Sequence, residues 1–179
     1  MKIVLTGGPS CGKTSVINEL RRRGHNILEE IAAQVNEERK GFELTKEEWL
    51  TRQRMIYFRQ VEQEEKCEND KVYFLDRGAI DGIAYSKMLL GYIPDELKRE
   101  YHYDVVFVLD RLPFVHASFR VEKGEEQAEN IHNVITQTYR ELGYNPIIIP
   151  RIDGEIDDAV KKRADIILDY VSNNYKGVS

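Results

Sequence analysis

Apolar residues fall into two patterns along this chain of 179 residues. Lys2–Thr6, Lys71–Asp76, Asp104–Asp110 and Ile147–Ile149 are short segments with continuous apolar cores, and Asn26–Glu30 is a weaker fifth. Unbroken apolar runs of this length mark strands buried on both faces. Between them, apolar positions recur at helical spacing. Gly12–Arg23 places Val16, Ile17 and Leu20 on one face, then three arginines and Gly24. Cations in a last turn and glycine just beyond it are helix stop signals. Thr45-Lys46-Glu47-Glu48 reads as a capping box opening a helix to about Asn69. Ile80–Leu90, Asp95–Tyr101, Glu125–Leu142 and Asp157–Tyr175 complete the predicted helices. Strands alternating with helices predict a mostly parallel five-stranded sheet covered on both faces, a three-layer α/β/α fold. Ligands then belong at the carboxyl ends of the strands.

Composition narrows this further. Hydrophobic residues are 41% and charged ones 32%, against an ordinary charged share of ~25%. The longest apolar run, Val105–Leu109, is far short of the ~20 residues of a membrane span. Two cysteines, Cys11 and Cys67, make no disulfide scaffold, so a reducing cytoplasmic setting is expected. The net charge of −5 argues against a nucleic-acid track. One domain over residues 1–179 is expected at this length.

The chemistry starts at Gly7-Gly8-Pro9-Ser10-Cys11-Gly12-Lys13-Thr14, with Ser15 following. This is G-x-x-x-x-G-K-[ST], placed after a strand and opening a helix, as a phosphate loop requires. Backbone N–H groups there turn toward phosphates, Lys13 adds a point charge, and the Thr14 hydroxyl suits Mg²⁺. Cys11 occupies a variable position and is expected to point outward. Asp76, ending its strand, is the expected second carboxylate of a Mg²⁺ shell. Arg77 and Gly78 follow it, where mechanical ATPases carry Glu to activate water. An arginine beside the metal carboxylate suits gripping a second substrate. The four histidines show no metal-ligand spacing and are expected at the surface, and Arg21–Arg23 is read as helix-end electrostatics.

These residues, with Val4–Ser15, Ile27–Ala33, Phe74–Gly82, Tyr103–Leu109, Ala128–Ile131 and Tyr139–Tyr144, resemble the nucleoside and nucleotide kinase branch of the phosphate-loop (P-loop) NTPase fold. The chain is similar in particular to the small "AAA-type ATPase domain" group that includes ribosylnicotinamide-kinase-like domains. The resemblance implies a Mg·ATP-dependent phosphotransferase with a small hydroxyl- or phosphate-bearing acceptor, and GTP stays open as the donor. It implies that Glu30, or its neighbour Glu29, takes the acceptor's proton. It places Gln53 near a base-reading position and makes Arg77 a substrate contact. The chain lacks the proline that often flanks that Glu, and Gly78 stands where those kinases carry Ser. Trp49, Ile56 and Val61 are read as core contacts, while Tyr57 and Phe58 stay open. A lid over about residues 111–126 is implied, with Arg120, or Arg111 in reserve, closing on the transferring group and Gly124 as a hinge. Arg151-Ile152-Asp153-Gly154 falls where related kinases pass the adenine. A nucleotide-dependent ATPase or GTPase switch is the alternative reading. Oligomeric state and acceptor identity are not legible.

Overall fold

The computed structural model describes residues 1–112 and 124–175. Its elements in chain order are β1 (Lys2–Thr6), α1 (Lys13–Arg22), β2 (Asn26–Leu28), α2 (Ile31–Glu38), α3 (Lys46–Glu65) and β3 (Tyr73–Asp76). After these come α4 (Ala79–Leu90), a 3₁₀ turn at Asp95–Leu97, β4 (Val105–Leu109), α5 (Glu125–Glu141), β5 (Ile147–Ile149) and α6 (Ile156–Asn174). The strands form one sheet in the order β2-β3-β1-β4-β5, and all four pairings are parallel.

Period-two alternation along the strands divides the core. Ile3, Leu5, Phe74 and Phe107 face α1 and α6, packing with Val16, Leu20 and Ile167. Val4, Leu75 and Val106 face the other way, onto Ile80, Ile131 and Tyr139 of α4 and α5. β1 is therefore central and covered twice, so the turn leaving its carboxyl end is held from both sides. Register completes the placement: Leu5 of β1 lies beside Asp76 of β3, and the Arg77 amide donates to the Leu5 carbonyl at 3.0 Å.

Several boundaries differ from the sequence expectation. Helix α3 ends at Glu65 rather than near Asn69, and the Asp95–Tyr101 helix shrinks to a single 3₁₀ turn. Helix α2 had no clear periodic signal because only Ile31 and Val35, one turn apart, are buried along its eight residues. The capping box at Thr45 forms by half. Thr45 Oγ1 accepts from the Glu48 amide at 3.1 Å, but the Glu48 carboxylate turns instead to Arg39 and Arg52. Two arginines outcompete one amide for it, and the trio ties α2 to α3. At the end of α1, Arg22 and Arg23 pair with Glu19, and Arg23 also reaches Asp165.

Candidate active site

The phosphate loop runs from the end of β1 into α1, and its backbone is closely packed from behind. A side-chain carbon at Gly8 would stand 2.8 Å from His132 Cβ and 3.0 Å from the Ala128 carbonyl, so α5 tolerates only glycine there. The Gly8 amide donates to His132 Nδ1 at 3.2 Å. His132 is thus half-buried against the loop, not a surface residue. Burial first, then Arg111 and Lys13, push its pKa down, which keeps Nδ1 free to accept. His25 is also partly covered, edge-on to the Phe74 ring at 5.2 Å, and His102 is exposed. Lys13 Nζ donates to the Gly7 and Gly8 carbonyls, both at 2.9 Å.

Cys11 does not point outward. It is 1% exposed, its thiol donates to the Gly8 carbonyl at 3.0 Å, and its sulfur accepts from Lys13 Nζ at 3.2 Å. The backbone of Cys11 is held from α6. Arg163, fully within the structure, donates to the carbonyls of Cys11 (2.7 Å), Asp110 (2.8 Å), Pro150 (3.0 Å) and Ile149 (3.2 Å). One guanidinium thereby joins the phosphate loop to the ends of β4 and β5. Arg163→Met is expected to lower stability by about 3–5 kcal/mol in urea unfolding, because four carbonyls lose a charged donor. Arg163→Lys should fail to restore it, since an ammonium lacks the planar fork.

A cavity of about 410 Å³ opens in front of the loop. It is lined by Pro9–Ser15, by Glu30, by Trp49, Gln53 and Ile56 of α3, and by Arg77 and Asp81 at the head of α4. Of the residues anticipated from sequence, Lys13, Thr14, Glu30, Gln53 and Arg77 therefore meet in one space, while Gly7, Gly8 and Asp76 lie behind its wall. The two glutamates part at the start of α2. Glu29 turns out to Arg21, whereas Glu30 faces the cavity and accepts from Arg77 Nε at 2.7 Å. Trp49 and Ile56 line the cavity rather than the core. Val61 and Tyr57 do pack inside, and Phe58 is exposed.

Arg77 has φ of 73°, a conformation that costs a non-glycine residue about 1–3 kcal/mol and clusters at functional sites. Asp81, unremarked in sequence, holds it. Arg77 Nη1 donates to Asp81 Oδ1 at 3.1 Å and to the Gly7 carbonyl at 3.3 Å. Asp81 also accepts from Thr6 Oγ1 (2.6 Å), Tyr139 OH (2.7 Å) and the Gly78 amide (3.2 Å). Its only sequence signal was an acid three residues past Gly78, the cap spacing of α4. A side-chain carbon at Gly78 would stand 2.8 Å from the Tyr103 ring, so tyrosine occupies the room a serine would need.

Charge in the site is balanced by these pairs. Burial raises the Glu30 carboxyl, but the Arg77 and Lys13 charges and the Arg77 hydrogen bond outweigh it, and the net shift is downward. Asp76, 3% exposed, is pushed up to about 6 by burial and then by Glu30, against Lys13 and Arg77. Its Oδ1 is buried without a hydrogen-bond partner. An orphaned carboxylate oxygen at a strand end beside a phosphate loop fits a hard divalent cation. Arg120, with most of the anticipated lid, lies at 113–123, outside the described residues. Arg111 pairs with Glu125 at 2.8 Å and does not line the cavity.

Asp76→Asn follows directly as a test. A rise from 3.8 to about 6 means that the ionised carboxylate opposes folding by up to about 3 kcal/mol. Stability should fall as pH rises through that window and stay lower above it. The variant is expected to unfold at higher urea than the wild type above pH 6. Equal stability at pH 5 and pH 7 in the wild type would contradict the shift.

Comparison with known proteins agrees with this architecture. The family model described as "AAA domain" matches residues 2–156. No curated protein matches the chain in sequence. Among solved structures, a NadR protein in complex with NR is 20% identical with a TM-score of 0.69, covering 99% of this chain and 51% of its own. Deoxyadenosine kinase from M. mycoides is 18% identical with a TM-score of 0.65, covering 97% and 100%. Thymidylate kinase from Ehrlichia chaffeensis is 15% identical with a TM-score of 0.66, covering 96% and 98%. The chain thus spans about half the length of the NadR protein and the whole length of the two kinases. Among the described residues, no helix is long and apolar enough to cross a membrane.

Proposed function

This chain belongs to the AAA domain family, and from that premise we propose that it is a phosphotransferase, moving the γ-phosphoryl group of a nucleoside triphosphate, ATP by preference, to a hydroxyl group of a small acceptor. The observation that carries the reading is one cavity holding both halves of the reaction, with the phosphate loop as its floor and the Glu30–Arg77 pair in its wall. A nucleotide switch needs the first half only. Two of the structural neighbours bear the name kinase, which supports the same reading.

The loop amides and Lys13 hold the donor's phosphates, so Lys13 exchanges its carbonyl contacts on Gly7 and Gly8 for phosphate oxygens. Thr14 and Asp76 would hold Mg²⁺, which when bound neutralises charge on the β- and γ-oxygens. The acceptor oxygen bonds to the γ-phosphorus as the bond to the leaving diphosphate breaks, and its proton passes to a Glu30 oxygen. A lowered pKa keeps Glu30 ionised and ready at neutral pH. In a loose transition state the proton is needed late, so a strong base is not required. Arg77, fixed by Asp81, stays beside the reacting centre as a preorganised positive charge.

Release of ADP from Mg·ATP tests this. The rate should rise when a pool of nucleosides is added, and a rate indifferent to every acceptor would favour the switch.

A further inference from the structure

Resting on the phosphotransferase reading, we propose that Glu64 is a positioning residue for transfer, fixing Arg77 from outside the cavity through Gln60 and Tyr103. The Arg77 guanidinium stands where it does because its backbone is kept at φ 73°. A non-glycine residue stays in that region only when its surroundings over-determine it. Contacts to Glu30, Asp81 and the Gly7 carbonyl fix the tip of the side chain. Its root is fixed by the two peptide groups that flank the α-carbon. The Arg77 amide donates to the Leu5 carbonyl at 3.0 Å, and the Arg77 carbonyl accepts from Gln60 Nε2 at 3.3 Å.

Gln60 is held in turn. Its Nε2 also donates to Glu64 Oε1 at 3.0 Å, one turn further along α3. The same oxygen accepts from Tyr103 OH at 2.9 Å, and that hydroxyl accepts from the Ala79 amide at 2.7 Å. These bonds close a ring around the turn 77–79, and its two arms meet at Glu64 Oε1. Gln60, Glu64 and Tyr103 are all buried, so a donor that loses this oxygen finds no ready substitute. Lys2 Nζ, at 3.9 Å from Glu64 Oε2, is beyond hydrogen-bond reach. Capping of α4 accounts for the arm through Tyr103, since Ala79 is the first residue of that helix. It does not account for the arm to the Arg77 carbonyl. Neither Glu64 nor Tyr103 lines the substrate cavity, whereas Gln60 does. An effect of Glu64 on transfer must therefore pass through Gln60 or through the turn that carries Arg77.

The experiment is a double-mutant cycle on the full chain, with transfer from Mg·ATP to a nucleoside pool as its readout. Glu64→Leu should lower the rate at saturating ATP by about 10–100-fold, the cost of a small misplacement near the reacting centre. Affinity for a non-hydrolysable ATP analogue should stay unchanged. Glu64→Gln should restore most of the rate, because its amide oxygen still accepts from both donors. In an Arg77→Met background, Glu64→Leu should cost nothing further, as expected when one residue acts through the other. Circular dichroism checks that each variant is folded. Should Glu64→Leu fail that check, Tyr103→Phe, which cuts the second arm of the ring, takes its place in the cycle. A full rate in the folded variant, a matching fall in analogue affinity, or a loss that multiplies with that of Arg77→Met would overturn the inference. So would equal losses in Glu64→Gln and Glu64→Leu. Each of these leaves the phosphotransferase standing. Wild-type chain that hydrolyses ATP and transfers to no acceptor would overturn both.

Discussion

Replacing Lys13 by alanine is expected to lower turnover of the nucleoside triphosphate by about 10³-fold. The loop amides of Gly12, Lys13 and Thr14 survive the change, but the ammonium that neutralises charge on the outer phosphates does not. The same substitution frees the Gly7 and Gly8 carbonyls of their charged donor, so the ligand-free chain should also lose about 1–3 kcal/mol of stability. These effects separate by measurement: unfolding in urea reports the second, and turnover well below the midpoint reports the first. Unchanged nucleotide affinity and turnover in a folded variant would remove the loop from the site.

The second large effect is on Glu30. Glu30→Gln keeps the shape and one acceptor for Arg77 Nε, but removes both the charge and the proton acceptor. Transfer should fall by about 10²–10⁴-fold, the ordinary worth of a positioned general base. Affinity for the triphosphate should change little, because in the proposed mechanism Glu30 serves the acceptor and not the donor. The loss should appear in kcat rather than in KM for the donor. A parallel fall in donor affinity would make Glu30 a structural partner of Arg77 instead. Glu29→Gln serves as control, since that side chain is bound to Arg21 outside the cavity; it should leave transfer unchanged.

What was legible in the sequence was local. The phosphate loop is written in consecutive residues because its chemistry is carried by consecutive backbone amides. Asp76 was legible because a strand end is a place, and the parallel order that sets it beside Leu5 follows from alternating strands and helices. Glu30 could not be separated from Glu29, since which side a residue faces at a strand-to-helix turn depends on where the helix starts. Cys11 was misplaced because its side chain packs in a core cluster with residues as distant as Leu109 and Ala164, and the carbonyl behind it is taken by Arg163, about 150 residues later. Arg163 itself stood in a run of three cations, Lys161 to Arg163, with nothing to mark the one that faces inward. Asp81 and His132 share that difficulty. Each acts on the loop or on Arg77 only after α4 and α5 fold onto the sheet.

The whole-chain charge of −5 gave no guide to the site. Its field is set by a few fixed groups: a strip of amides, Lys13, Arg77 and three carboxylates spaced along one cavity and its rear wall. Positive and negative groups alternate along that cavity, so local arrangement rather than net charge decides what it can hold.

The most direct measurement follows the label of γ-³²P-ATP in a single incubation with Mg²⁺ and a nucleoside pool, separating organic phosphate from inorganic phosphate. In the wild type most of the label should move onto a nucleoside, and Glu30→Gln should slow this transfer at least about 10²-fold. Label appearing only as inorganic phosphate, at a rate that neither acceptor nor Glu30 alters, would contradict the proposed transfer.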